Sequence, residues 1–115
     1  MADSIPGTLT IDNAVIADLA GYAALESYGV VGMAAPTLTD GIAKILPAAR
    51  LRRGILVDND ENGVVIDLYV VIENGMNITT VARNLSDAVR YALTNFAQIQ
   101  ISQINVHVQG LRVRN

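Results

Sequence analysis

Cysteine and tryptophan are absent from this 115-residue chain, which has one histidine and one phenylalanine. Without cysteine there can be no disulfide framework, no thiolate metal site and no cysteine nucleophile. Aromatic residues make up 4%, so the core has to be built from Val, Ile, Leu and Ala. Long apolar runs are also missing. The longest, such as Leu68–Ile72, fall far short of the roughly 20 residues of a membrane span. Met1–Gly7 has neither the basic start nor the apolar stretch of a secretory signal. The expected location is therefore cytoplasmic, with no direct membrane insertion and any membrane association borrowed from a partner. Basic residues are few, 8 against 11 acidic, for a net charge of −3. That balance opposes nonspecific binding to nucleic acid.

Aliphatic residues dominate instead. Hydrophobic residues reach 51% and mean hydropathy is +0.36. A chain this short holds one domain and buries roughly two thirds of its unfolded surface. So apolar a composition predicts surface hidden against another copy or a partner, hence a homo-oligomer. The domain is expected to span 1–115, with 1–7 and 114–115 as flexible ends.

Periodicity gives the elements. Thr8–Ile11 alternates as a short strand. Asp12 or Asn13 can cap a helix reaching about Glu26, with Val15, Ile16, Leu19, Ala20 and Ala23 inward and Tyr22 beside them. Gly29 ends that unit, and Val30–Ala34 reads as a strand stopped by Pro36. Asp40–Leu46 could supply one or two helical turns. Ile55–Val57 is a strand, Asp58–Gly63 a hairpin connection and Val64–Glu73 a strand. That last strand puts Val64, Ile66, Leu68, Val70 and Ile72 on one face. Val65, Asp67, Tyr69, Val71 and Glu73 form a wet second face. Asn77 caps a helix to Phe96 whose apolar face runs Ile78, Val81, Ala82, Leu85, Ala88, Val89, Ala92, Leu93 and Phe96. A strand follows from Ile101 to Arg112, with Ile104, Val106 and Val108 inward. The opposite parity of Ile101 predicts a bulge near Ser102. The fold class is α+β, in the order β-α-β-(short helix)-β-β-α-β. The expected sheet is mixed, with both long helices on one face.

Few motifs carry chemistry. Asp58-x-Asp60-x-Asn62-Gly63 copies the first half of a calcium-binding EF-hand loop, but the twelfth position, which needs a bidentate Glu, is Tyr69. Gly29-Val30-Val31-Gly32 has the form of a nucleic-acid-binding GXXG loop, with valines where basic or small polar residues belong. Lys44, Arg50, Arg52, Arg53, Arg112 and Arg114 are the basic concentration, suited to an anion or an acidic partner. His107 lies on a polar strand face with Asn105 and Gln109, and spacing supplies it no converging ligands or triad. Asp67 and Glu73 would stand about 20 Å apart along an extended strand, too far for an acid/base pair. No phosphate loop is present, no cofactor is expected, and nothing argues for an enzyme. On the second long helix, Tyr91 falls about 220° from Ile78, on the outward side with Arg83 and Arg90.

Four segments together resemble the alkaline shock protein family of Gram-positive bacteria, a general-stress or envelope-stress family. They are Ile11–Ile16, Tyr28–Met33, Val65–Ile72 and Ile104–Gly110, and the similarity covers about Gly7 to Val113. The glycine-methionine strand and the Asn105-Val106-His107-Val108 ending are the most specific parts. The resemblance implies a small α+β domain without known catalysis. Some members self-assemble and are held at the membrane by a separate anchor protein. It is the short stand-alone type, often encoded beside a dihydroxyacetone-kinase-like protein of fatty-acid metabolism, that this chain resembles more closely.

The expected function is therefore a noncatalytic scaffold in envelope stress or envelope homeostasis. It would act through self-association and a protein partner, a membrane anchor or a kinase-like enzyme. The candidate interaction residues are Tyr91, Arg83, Arg90, Arg52, Arg53, Tyr69 and His107. A small RNA-binding module and an accessory subunit of the kinase-like enzyme are the alternatives.

Overall fold

The computed structural model describes residues 11–35, 45 and 54–113, without the side chain of Phe96. Six elements follow one another: α1 (Asn13–Leu25), β1 (Val30–Met33), β2 (Ile55–Asp60), β3 (Gly63–Glu73), α2 (Ile78–Phe96) and β4 (Ile101–Arg112). Ile11 is not in a strand. The rest of the expected first strand, the expected short helix at 40–46 apart from Ile45, the ends 1–7 and 114–115, and Lys44, Arg50, Arg52, Arg53 and Arg114 lie outside the described residues. Ile45 itself forms an isolated antiparallel bridge with Ala34 and not a helical turn.

β3 organises the sheet because its alternation is uninterrupted. Val64, Ile66, Leu68, Val70 and Ile72 are all buried against the helices. β2 runs antiparallel to Gly63–Leu68, and β1 runs antiparallel to Val70–Ile72. The two therefore lie end to end along one edge of β3. β4 runs parallel to β3 along the other edge, from Val64↔Ile101 to Glu73↔Arg112. The sheet is mixed, as expected. Two residues of β4 oppose one step of β3 at Ser102, which is the expected bulge, and again at Gln109. The hairpin is tighter than its acidic sequence implied. β2 continues through Asp60, which pairs with Gly63, and the connection shrinks to Glu61-Asn62. Strand pairing outweighs charge here because the Asp60 carboxylate at the tip finds local partners.

Those partners bind the hairpin tip to the start of β4. Asp60 Oδ2 accepts from Ser102 Oγ at 2.8 Å and Oδ1 from the Asn62 amide at 2.8 Å. Gln100 Nε2 donates to the Asn62 carbonyl at 2.9 Å. The Ser102 hydroxyl, with the Asn62 amide, holds the Asp60 carboxyl below its ordinary 3.8. A depressed folded value means a stabilising contribution that is complete above the unfolded value and lost as pH falls through the folded one. The stability difference between wild type and Asp60→Asn should therefore be larger at about pH 6 than at about pH 3 in denaturant titrations. A pH-independent difference would contradict this origin.

Both helices pack on the same sheet face, α1 over β1 and β2, and α2 over β4. Asn77 caps α2 as expected, its Oδ1 accepting from the Thr80 amide at 3.0 Å. Asn77→Ala should cost about 1 kcal/mol and Asn77→Ser should recover most of it, measured by thermal melting. Val81, Leu85, Val89 and Leu93 form the buried stripe, whereas Ile78 in the first turn is exposed.

α1 departs further from expectation. Its buried positions are Ile16, Ala17, Ala20, Gly21 and Ala24. Val15 is 47% exposed, and Leu19 and Ala23 are half-buried. The helix is apolar on nearly every side, so periodicity could not set its phase. Small residues face the sheet because the approach is close: a Cβ on Gly21 would lie 3.2 Å from Ile55 Cδ1. Asp12 stands at the N-cap without a side-chain capping bond, and Asn13 Nδ2 reaches the Val57 carbonyl at 3.4 Å instead.

Candidate functional site

The sheet face opposite the helices carries the polar side chains of β3 and β4. Parallel pairing sets Asp67 beside Asn105 and Tyr69 beside His107. The four converge. His107 Nε2 lies 2.9 Å from Asp67 Oδ1, and Asn105 Nδ2 donates to the same oxygen at 3.1 Å. Gln103 Nε2 donates to Asn105 Oδ1 at 2.9 Å. The Tyr69 and His107 rings stack with centroids 4.4 Å apart and planes 12° from parallel. A carboxylate only accepts, so in the His107–Asp67 bond Nε2 is the donor. The result is a ladder of planar polar groups whose rotamers are fixed by their mutual bonds. It can exchange hydrogen bonds with another surface at low entropic cost.

The face is not wholly wet. Val71 is fully buried there, because Ala34 and Val31 pack against it. Toward the same end, Gln109 Nε2 donates to the Ala35 carbonyl at 3.1 Å.

Of the residues singled out from sequence, Tyr69 and His107 come together on this ladder. Tyr91, Arg83 and Arg90 are exposed on α2, remote from it on the other side of the molecule. Arg52 and Arg53 lie outside the described residues. Sequence reasoning missed the Asp67–His107 bond: spacing along one strand says nothing about a neighbour 40 residues away. The signal available was that both residues sit on the polar parity of adjacent strands.

Two other motifs have structural roles. The acidic Asp58–Gly63 run belongs to the β2–β3 ladder, and Tyr69, at its twelfth position, lies inside β3. Among the described residues, no three His, Asp or Glu side chains are grouped to hold a metal. The GXXG form is a turn glycine followed by β1, not a loop between helices. Gly29 has φ +89°, and its Cβ would meet Val81 Cγ2 at 2.7 Å.

A second surface lies between α1 and α2. A groove of about 570 Å³ separates the helices, bordered by Tyr22, Tyr28 and Tyr91. These side chains are 73%, 77% and 62% exposed. Among the described residues no helix is long and apolar enough to cross a membrane.

Similarity to known proteins is extensive. The chain is 36% identical over 110 residues to the uncharacterized protein YloU of Bacillus subtilis strain 168, covering 95% of this chain and 92% of that one. It is 32% identical to the uncharacterized protein YqhY of the same strain, over 96% and 81% of the two chains. A stress response regulator gls24 homolog of Streptococcus pyogenes serotype M3 is 22% identical, over 99% of this chain and 64% of the relative. Residues 1–113 match the alkaline shock protein 23 family, described by its cell envelope-related function. With the β1 and β4 segments that first suggested alkaline shock proteins in place as strands, the chain belongs to this family.

Proposed function

We propose that the protein is a noncatalytic scaffold of envelope stress or envelope homeostasis. It acts by self-association and by binding a protein partner through the polar sheet face and the outer edge of β4. Membrane association, where it occurs, is conferred by that partner. The observation that carries this reading is the Gln103–Asn105–Asp67–His107–Tyr69 ladder. Its side chains are already ordered, so docking forfeits little rotamer freedom. The family's envelope-related description and the stress-regulator relative support an envelope partner.

The test is a pull-down from native lysate with the whole chain, run beside Asp67→Ala and His107→Ala. The expected result is a partner that the wild type captures and both variants lose, with their circular dichroism spectra unchanged. Equal capture by all three would overturn the role of the face. Self-association is tested separately by light scattering, where a mass of 12.2 kDa at high micromolar concentration would overturn it.

A further inference from the structure

From the α1–α2 groove we infer that its occupant is a second copy of this chain, in an isologous dimer with α1 lying across α2 of the other copy. This rests on the self-association proposed above and assigns it a surface. The helices are antiparallel: Gly29, just past the end of α1, lies over Val81 in the first turn of α2. Glu26 and Asn84 therefore share one end of the groove. The floor is low because the residues facing each other there, Ala23, Ala88 and Ala92, are small. The three exposed tyrosines beside it offer large contact area with few rotatable bonds.

Charge selects both the partner and its orientation. From Asp12 to Glu26, α1 and its caps carry Asp12, Asp18 and Glu26 and no basic residue. The outer side of α2 carries Arg83 and Arg90, with Asp87 between them. A two-fold axis perpendicular to the helices would stack α1 on its own copy, acid on acid. An axis along the groove stacks each α1 on the other copy's α2, antiparallel, which brings Glu26 over Arg83 of the second copy. Tyr22 then comes within about a turn of Tyr91 of that copy. Both halves form by the same rotation, so each charge pair and each tyrosine contact occurs twice.

The test measures dimer dissociation by sedimentation equilibrium for the whole chain, Tyr91→Ala, Glu26→Arg, Arg83→Glu and the double Glu26→Arg/Arg83→Glu variant. Each single change should weaken the dimer roughly tenfold or more, and the double reversal should return it to within a few-fold of wild type. Melting temperatures should stay near that of wild type, since all three residues are exposed. A dimer whose affinity none of the changes alters would overturn the assignment of this surface and leave self-association standing. A double variant no better than the singles would overturn the α1-on-α2 arrangement. A wild type that stays monomeric would overturn self-association itself, and this inference with it.

Discussion

Leu85→Ala is expected to destabilise the domain by about 2–5 kcal/mol, a large fraction of the roughly 5–15 kcal/mol that holds a domain folded. Leu85 has no exposed surface and belongs to the cluster that joins α1, α2 and the inward residues of β3. Removing three carbons there forfeits their transfer from water and leaves a cavity. β-Strands fixed by backbone pairing cannot collapse into it as a loop could. Urea denaturation should show a lower midpoint with an unchanged slope, since the surface exposed on unfolding is nearly the same. A loss below about 1 kcal/mol would mean that the space had closed, and that α2 is held less rigidly than its burial implies.

Gly63→Ala should be comparably damaging for a different reason. Gly63 has φ +134°, and a Cβ there would stand 2.6 Å from the Gln100 carbonyl oxygen. That oxygen accepts the Val64 amide at 3.0 Å. The backbone conformation alone costs about 1–3 kcal/mol for an L-residue. The collision adds to it, because backbone at the entry to β4 has to move. Gly75→Ala is the control. Gly75 has φ +93°, with nothing within 4 Å of its Cβ position, so it carries conformational strain alone. Gly63→Ala should melt well below Gly75→Ala. Equal melting would show that the start of β4 yields without cost.

What sequence could reveal depended on which interactions were local. β3, α2 and β4 were legible because each has an unambiguous period. The shift of parity between Ile101 and Ile104 even located the Ser102 bulge. α1 was legible as a helix but not in phase, since Val15, Leu19 and Ala23 are as apolar as the positions actually buried. Its choice of face follows from fit: the buried Ala17, Ala20 and Gly21 are small, and Gly21 lies close against Ile55. The Asp67–His107 contact depends on a parallel register set by α2 and by the bulge, neither of which is written at those two positions. The groove was hidden for a related reason. Ala88 and Ala92 share the apolar parity of Leu85, and only the position of α1 leaves them half-open. Tyr91 was readable because its distance around the helix from Leu85 and Leu93 needs no tertiary information.

One strand, β3, pairs with all the others, and this sets where proline can be introduced. Successive N–H groups of a strand point to alternate edges, and both edges of β3 are paired along Val64–Leu68 and Val70–Ile72. A proline scan through those positions should therefore be destructive throughout, since each N–H points to one paired neighbour or the other. Along β4 the described partner lies on one side. Tolerance there should alternate, harmless where the N–H points outward and damaging where it points to β3. The alternation should change phase at Ser102 and again at Gln109, where the extra residue of each bulge reverses which amides face inward.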